Sequence, residues 1–147
     1  MRIGSVEFEK RGRVAVITLD EPTKLNAISM GIREGVLESL AKIQSDDDIR
    51  VGILTGRGDK AFCAGADFSG GADVFAAPDD GGEGFRSDAF AFHAWDVRKP
   101  VIVAINGHAV GIGLTMALQC DLRYVAADAK LGIVQNRRGI NPDLRSH

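Results

Sequence analysis

Short apolar runs rich in β-branched residues alternate with segments of helical period along this chain, and that order leaves few architectures open. Val14–Leu19, Val51–Thr55 and Val101–Ile105 are nearly continuous apolar runs, the pattern of strands covered on both faces. Ile32, Val36, Leu37, Leu40 and Ile43 recur at helical spacing behind Ser29, a residue type suited to an N-cap. A second helix is expected over Arg86–Arg98, with Ala89, Phe92 and Trp95 on one side and Pro100 as its stop. Gly111–Gln119 reads as a third, buried helix, followed by strands at Leu122–Ala126 and Lys130–Ile133. Strand and helix take turns, so the expected class is α/β.

With 147 residues, 45% of them apolar, the chain suits one domain. Its formal net charge of −2 disfavours a nucleic-acid partner. No apolar run approaches the ~20 residues needed to cross a bilayer. Met1–Lys10 carries charges where a secretory signal would be apolar, so a cytoplasmic protein without a membrane partner is expected. Cys63 and Cys120 read as two small buried thiols in a reducing compartment; alone they make neither a disulfide framework nor a metal site.

Several chemistries are absent by inspection. There is no G-x-x-x-x-G-K-[ST], H-E-x-x-H, G-x-S-x-G or C-x-x-C motif. Gly111-Ile112-Gly113 opens like a dinucleotide fingerprint, but Met116 stands where the third glycine belongs. Asp46-Asp47-Asp48 and Arg57-Gly58-Asp59 read as turns. Residues 65–84 form a glycine-rich loop, expected to be mobile, which is either a functional lid or an insertion.

Two elbows remain, each directly after an apolar segment: Ala61–Phe68, and Ile105–Gly113, which opens the buried helix. Small residues there either only permit tight turns or let the backbone approach a ligand. In the second case two N–H donors can converge on one oxygen that becomes negative during reaction.

The chain resembles the crotonase, or enoyl-CoA hydratase/isomerase, superfamily. The matching pieces are Val14–Leu19 with Lys24-Leu25-Asn26-Ala27, then Ala61–Asp67, then Lys99–Gly107. They continue through Gly113, Cys120-Asp121 and Arg137–Ile140 with Pro142. The resemblance implies a spiral of ββα turns that binds an acyl-CoA thioester, with coenzyme A as part of the substrate and no separate cofactor. It assigns the oxyanion hole to the N–H groups of Ala66 and Ile112. It lines the acyl-CoA cleft with Ala64, Ala66, Asp67 and Phe68, and it brings Lys24 near the CoA phosphates, where a solvated surface lysine is the other reading. His108 is expected to be packed or partly exposed rather than catalytic. Family members usually continue with mostly helical sequence beyond the point where this chain stops, so a C-terminally truncated core is expected. Exposed apolar surface and self-association, as a trimer or higher oligomer, would accompany it.

The family's hydratases assign proton transfer at Cα and Cβ to two glutamates. Here those positions are Thr115 and Gln135, which can hydrogen-bond a water or the acyl group but cannot act as carboxylate bases. A third position, which carries a catalytic aspartate in some relatives, is Asp143; a first-turn helix residue behind Pro142 is its other reading. Three expectations stand together: a hydratase/isomerase-type enzyme using Asp143, an acyl-CoA-binding protein without catalysis, or a fragment of a longer enzyme.

Overall fold

The structure is a computed structural model that describes residues 1–67, 69, 92 and 94–138. Its elements are β1 (Arg2–Ile3), β2 (Val6–Arg11), β3 (Val14–Leu19), α1 (Met30–Ser45), β4 (Val51–Gly56) and β5 (Ala61–Cys63). They continue with β6 (Val101–Ile105), β7 (His108–Val110), α2 (Ile112–Leu118), β8 (Leu122–Val125) and β9 (Leu131–Gly132). Among the described residues they form a six-stranded sheet, ordered β1-β2-β3-β4-β6-β8, and a three-stranded sheet, ordered β5-β7-β9.

The two sheets grow together. β4, β6 and β8 each add a parallel strand to the large sheet, and each is followed by a short strand that adds to the small one. The chain therefore coils, as the expected spiral of ββα turns requires. The antiparallel β1–β2–β3 meander closes one flank and was not read from the sequence.

Helix α1 forms where its apolar spacing places it. Ser29 Oγ accepts the Ile32 N–H at 3.2 Å, which satisfies one of the free amides of the first turn. Its buried side, including Ile32, Val36, Leu40 and Ile43, packs on the large sheet. Gly35 permits the approach, since a Cβ there would lie 2.4 Å from the Ile3 carbonyl oxygen.

Strands β3, β4 and β6 alternate strictly between buried and half-buried residues. Ala15, Ile17, Leu19, Leu54, Val101 and Val103 face the core. The row Val16, Ile53, Ile102 on the opposite face is only half-buried, so these strands are covered on one face rather than two.

Other expectations are adjusted locally. α2 is the buried helix read at 111–119, one residue shorter at each end. The expected helix at 86–98 lies partly outside the described residues; its tail is a single 3₁₀ turn, Ala94–Asp96, and Phe92 is a core residue. β8 is exposed along its whole length. The aspartate run is the turn read from the sequence, and within it Asp46 Oδ2 accepts from Lys10 Nζ at 2.7 Å. Both cysteines are buried free thiols. No helix among the described residues is long and apolar enough to cross a membrane.

Candidate active site

The small sheet places the site. β5, β7 and β9 run parallel, with Ala61 opposite His108, Ala109 opposite Leu131 and Val110 opposite Gly132. Their carboxyl ends therefore open on one edge, the usual position of a ligand in a parallel sheet. Three segments leave the sheet there: Ala64–Asp67 after β5, Gly111-Ile112 after β7, and Ile133–Gln135 after β9.

The first segment is fixed by a strip of chain beside it. Ala64 N–H bonds the Leu25 carbonyl at 3.1 Å, Ile28 N–H bonds the Gly65 carbonyl at 2.7 Å, and Asp67 N–H bonds the Ile28 carbonyl at 3.1 Å. This is a parallel bridge between Ile28 and Ala66. In such a bridge Ile28 uses the peptide groups flanking Ala66, and Ala66's own N–H points to the other side. On that side the chain runs close to β7: a Cβ on Gly65 would lie 3.2 Å from the Val110 carbonyl oxygen.

The second segment turns sharply at Gly111, which has φ 56° and bonds back to the Gly132 carbonyl at 2.8 Å. Ile112 is the first residue of α2, where a backbone N–H has no intrahelical acceptor. Neither the Ala66 nor the Ile112 N–H has an acceptor among the described residues. Gly113 locks the two elbows together, because a Cβ there would meet the Cys63 carbonyl oxygen at 2.5 Å.

The polar side chains differ in what they have free. Thr115 is fully buried and donates to the Ile112 carbonyl at 3.1 Å, so its hydroxyl serves the helix. Gln135 is 9% exposed, and both its Oε1 and Nε2 are buried without a partner among the described residues. Lys24 Nζ donates to Asp67 Oδ2 at 2.7 Å and lies 3.4 Å from Ser69 Oγ. Hydrogen bonding from Lys24, and then from Ser69, holds the Asp67 carboxyl down at about 2. His108 is an exposed β7 residue whose Nδ1 accepts the Lys130 N–H at 3.0 Å, which supports the β7–β9 ladder. Phe68 and Asp143 lie outside the described residues.

Sequence reasoning missed two asparagines that shape the site. Asn26, fully buried, donates to the carbonyls of Arg57 and Ala61, both at 3.0 Å, and accepts the Glu21 N–H at 3.0 Å. Asn106 accepts the Gly56 N–H at 3.0 Å and donates to the Gly58 carbonyl at 2.8 Å. Together they clamp the β4–β5 turn from two sides. One asparagine in the matched segment Lys24–Ala27 and one in the second elbow were the available signal, since this residue type often bonds backbone groups at turns. A cavity of about 270 Å³ beside this clamp is lined by Leu25, Asn26, Arg57 and Lys60 and does not include Ala66, Ile112 or Gln135.

A coil of paired parallel strands is the fold of a known class of protein. The family model described as enoyl-CoA hydratase/isomerase matches residues 9–146. The chain belongs to this family. It is 36% identical over 133 residues to the (E)-benzylidenesuccinyl-CoA hydratase of Thauera aromatica, covering 88% of this chain and 50% of that protein. It is 33% identical over 146 residues to the short-chain-enoyl-CoA hydratase of Clostridium acetobutylicum, covering 97% of this chain and 54% of that one. A crystal structure of a probable enoyl-CoA hydratase/isomerase from Mycobacterium abscessus superposes with a TM-score of 0.83 at 37% identity, over 95% of this chain and 52% of that one. The chain thus spans about half the length of the relatives it matches.

Proposed function

We propose that this chain binds an acyl-CoA thioester and stabilises the enolate formed from it, in a reaction of the enoyl-CoA hydratase/isomerase type. The observation that carries this reading is the pair of Ala66 and Ile112 N–H groups, which leave neighbouring parallel strands at one edge without an acceptor among the described residues. A thioester oxygen between them accepts two hydrogen bonds. When water adds at Cβ, or a proton leaves Cα, negative charge moves onto that oxygen and both bonds strengthen. One such donor is worth ~2.7–4 kcal/mol in the transition state.

The remaining roles follow from chemistry and the family resemblance. The small side chains of Ala64 and Ala66 leave room for the thioester and Asp67 continues the wall of the cleft, a role the family resemblance extends to Phe68. Lys24 is half-exposed and offers its ammonium to the CoA phosphates, with Asp67 holding it in position. Thr115 and Gln135 carry no carboxylate, so proton transfer is assigned to Asp143. In hydration the elements of one water are added, hydroxyl at Cβ and hydrogen at Cα. Coenzyme A arrives and leaves as part of the substrate.

The test is titration of the purified chain with but-2-enoyl-CoA by calorimetry, with products identified by mass. Saturable binding and a product heavier by one water are expected. Ile112→Pro removes one N–H at a helix position that tolerates proline; it is expected to lower kcat/KM about a hundredfold or more. Failure of every CoA thioester to bind overturns the reading.

A further inference from the structure

We infer that His108 is a positioning residue that makes the thioester site sensitive to pH: its neutral imidazole fastens β9 to β7 beside the Ile112 amide, and protonation releases it. The inference rests on the acyl-CoA reading above and adds a control on the same site.

The starting observation is the direction of one hydrogen bond. His108 Nδ1 accepts the Lys130 backbone N–H at 3.0 Å. Only a neutral ring with its proton on Nε2 can do so, because the imidazolium carries a proton on both nitrogens and has no lone pair to offer. On protonation two donors face each other across this contact, and attraction becomes repulsion. An unperturbed imidazole makes that change near pH ~6.5.

One bond counts here because β9 is small. It has two residues, Leu131 and Gly132, paired with Ala109 and Val110. Leu131 and the following Ile133 are exposed, so little apolar burial holds this stretch. Lys130 is held through its N–H by the His108 side chain and through its carbonyl by the Ala109 N–H at 3.0 Å. Segments with so few buried contacts open at low free energy.

The consequence reaches the site through Gly111. Its N–H bonds the Gly132 carbonyl of β9 at 2.8 Å, which fixes the turn from which Ile112 enters α2. When β9 frays from its first residue that anchor loosens, and the Ile112 donor is no longer aimed in advance at the thioester oxygen.

The surroundings leave the ring itself as the group that changes. Among the described residues, the charged groups leading into the flanking strands are Asp59 and Lys60 before β5 and Asp128 and Lys130 before β9, all exposed. Helix α2, which packs on β7, carries none. Carboxylates and ammonium groups ordinarily keep their charge between pH ~5.5 and pH ~8.

The experiment measures dissociation constants of but-2-enoyl-CoA from pH ~5.5 to pH ~8 for the full chain, for His108→Asn and for His108→Leu. Asparagine offers an Oδ1 acceptor in the place of Nδ1 and does not titrate, whereas leucine offers no acceptor. Comparison at each pH cancels the titration of the ligand's phosphates and of His93 and His147. At the upper limit the leucine variant is expected to bind about fivefold more weakly than the wild type, with the asparagine variant near the wild type. At the lower limit the wild type is expected to fall to the level of the leucine variant while the asparagine variant keeps its lead. Hydrogen exchange at the Lys130 amide, relative to its intrinsic rate, is expected to follow the same pattern, with the α1 amides protected throughout. A ratio of wild-type to His108→Asn affinity that does not move with pH overturns the role given to His108 and leaves thioester binding intact. Binding of no thioester at any pH removes the acyl-CoA reading instead. Lys130 exchange needs no ligand, and protection independent of pH in the wild type would overturn the release of β9 on its own.

Discussion

The Nδ2 group of Asn26 donates to the carbonyl oxygen of Ala61 at 3.0 Å, joining positions 35 residues apart. Through this bond and its companion to Arg57, the strip Leu25–Ile28 is held against the elbow whose backbone carries Ala66. The geometry of the proposed thioester site therefore depends on a fully buried side chain whose hydrogen bonds go to backbone groups.

Asn26→Ala strips three hydrogen bonds from a fully buried position and leaves the Arg57 and Ala61 carbonyls without that donor. A loss of about 2–4 kcal/mol in unfolding free energy is expected. Urea denaturation followed by circular dichroism measures it, and a loss well under 1 kcal/mol would contradict the clamp.

Gly113→Ala adds a methyl group 2.5 Å from the Cys63 carbonyl oxygen, against backbone rather than a flexible tip. Overpacking of this kind costs about 1–3 kcal/mol. Because α2 and β5 must part to relieve it, affinity for a CoA thioester is expected to fall along with stability. A variant that loses stability at unchanged affinity would uncouple the two elbows.

The Asp67–Lys24 pair makes an acid-sensitive contact. With its folded carboxyl held at about 2, first by Lys24 and then by Ser69, Asp67 favours the folded state when ionised. The unfolded carboxyl titrates near ~3.9, so the contribution is complete above that value and disappears as the pH falls through the folded one. The Tm difference between wild type and Asp67→Asn is expected to shrink between pH ~5 and pH ~2. A difference independent of pH would remove the ion pair as its source.

Burial pushes the Cys63 and Cys120 thiols up to about 12. Neither forms appreciable thiolate near neutral pH, the form that reacts with disulfide reagents. The folded protein is expected to resist labelling with an aromatic disulfide at pH ~8 and to react at both positions in denaturant. Rapid labelling of the folded chain would show that one thiol reaches solvent.

Lys24→Ala tests the phosphate contact. Exposed charge contacts are weak, so affinity for a CoA thioester is expected to drop a few-fold, more at low ionic strength. The matching N-acetylcysteamine thioester, which has no phosphates, is expected to bind as before. Equal losses for both ligands would assign Lys24 to positioning Asp67.

The sequence made β3, β4, β6 and α1 legible because Val and Ile runs and the Ile32–Ile43 spacing are long enough to declare a period. The small sheet was not legible as a sheet. β5 and β7 have three residues each, too few for any periodicity, and they form by pairing with chain far away. β2 hid behind its charges, since Glu7, Glu9, Lys10 and Arg11 accompany the buried Val6 and Phe8. The glycine-bearing elbows were found in the sequence, and the structure brings them side by side. The clamps at Asn26 and Asn106 were not, because bonds from a side chain to backbone 31 to 50 residues distant leave no local pattern.

Among the described residues β8 ends the six-stranded sheet with all four of its residues exposed, Leu122, Tyr124 and Val125 among them. Its outer rim is a ready template for another strand. Accretion on that flank runs crosswise to the strands, whereas the proposed site opens along them, past the tips of β5, β7 and β9. The molecule can be widened at its side wall without stoppering its entrance.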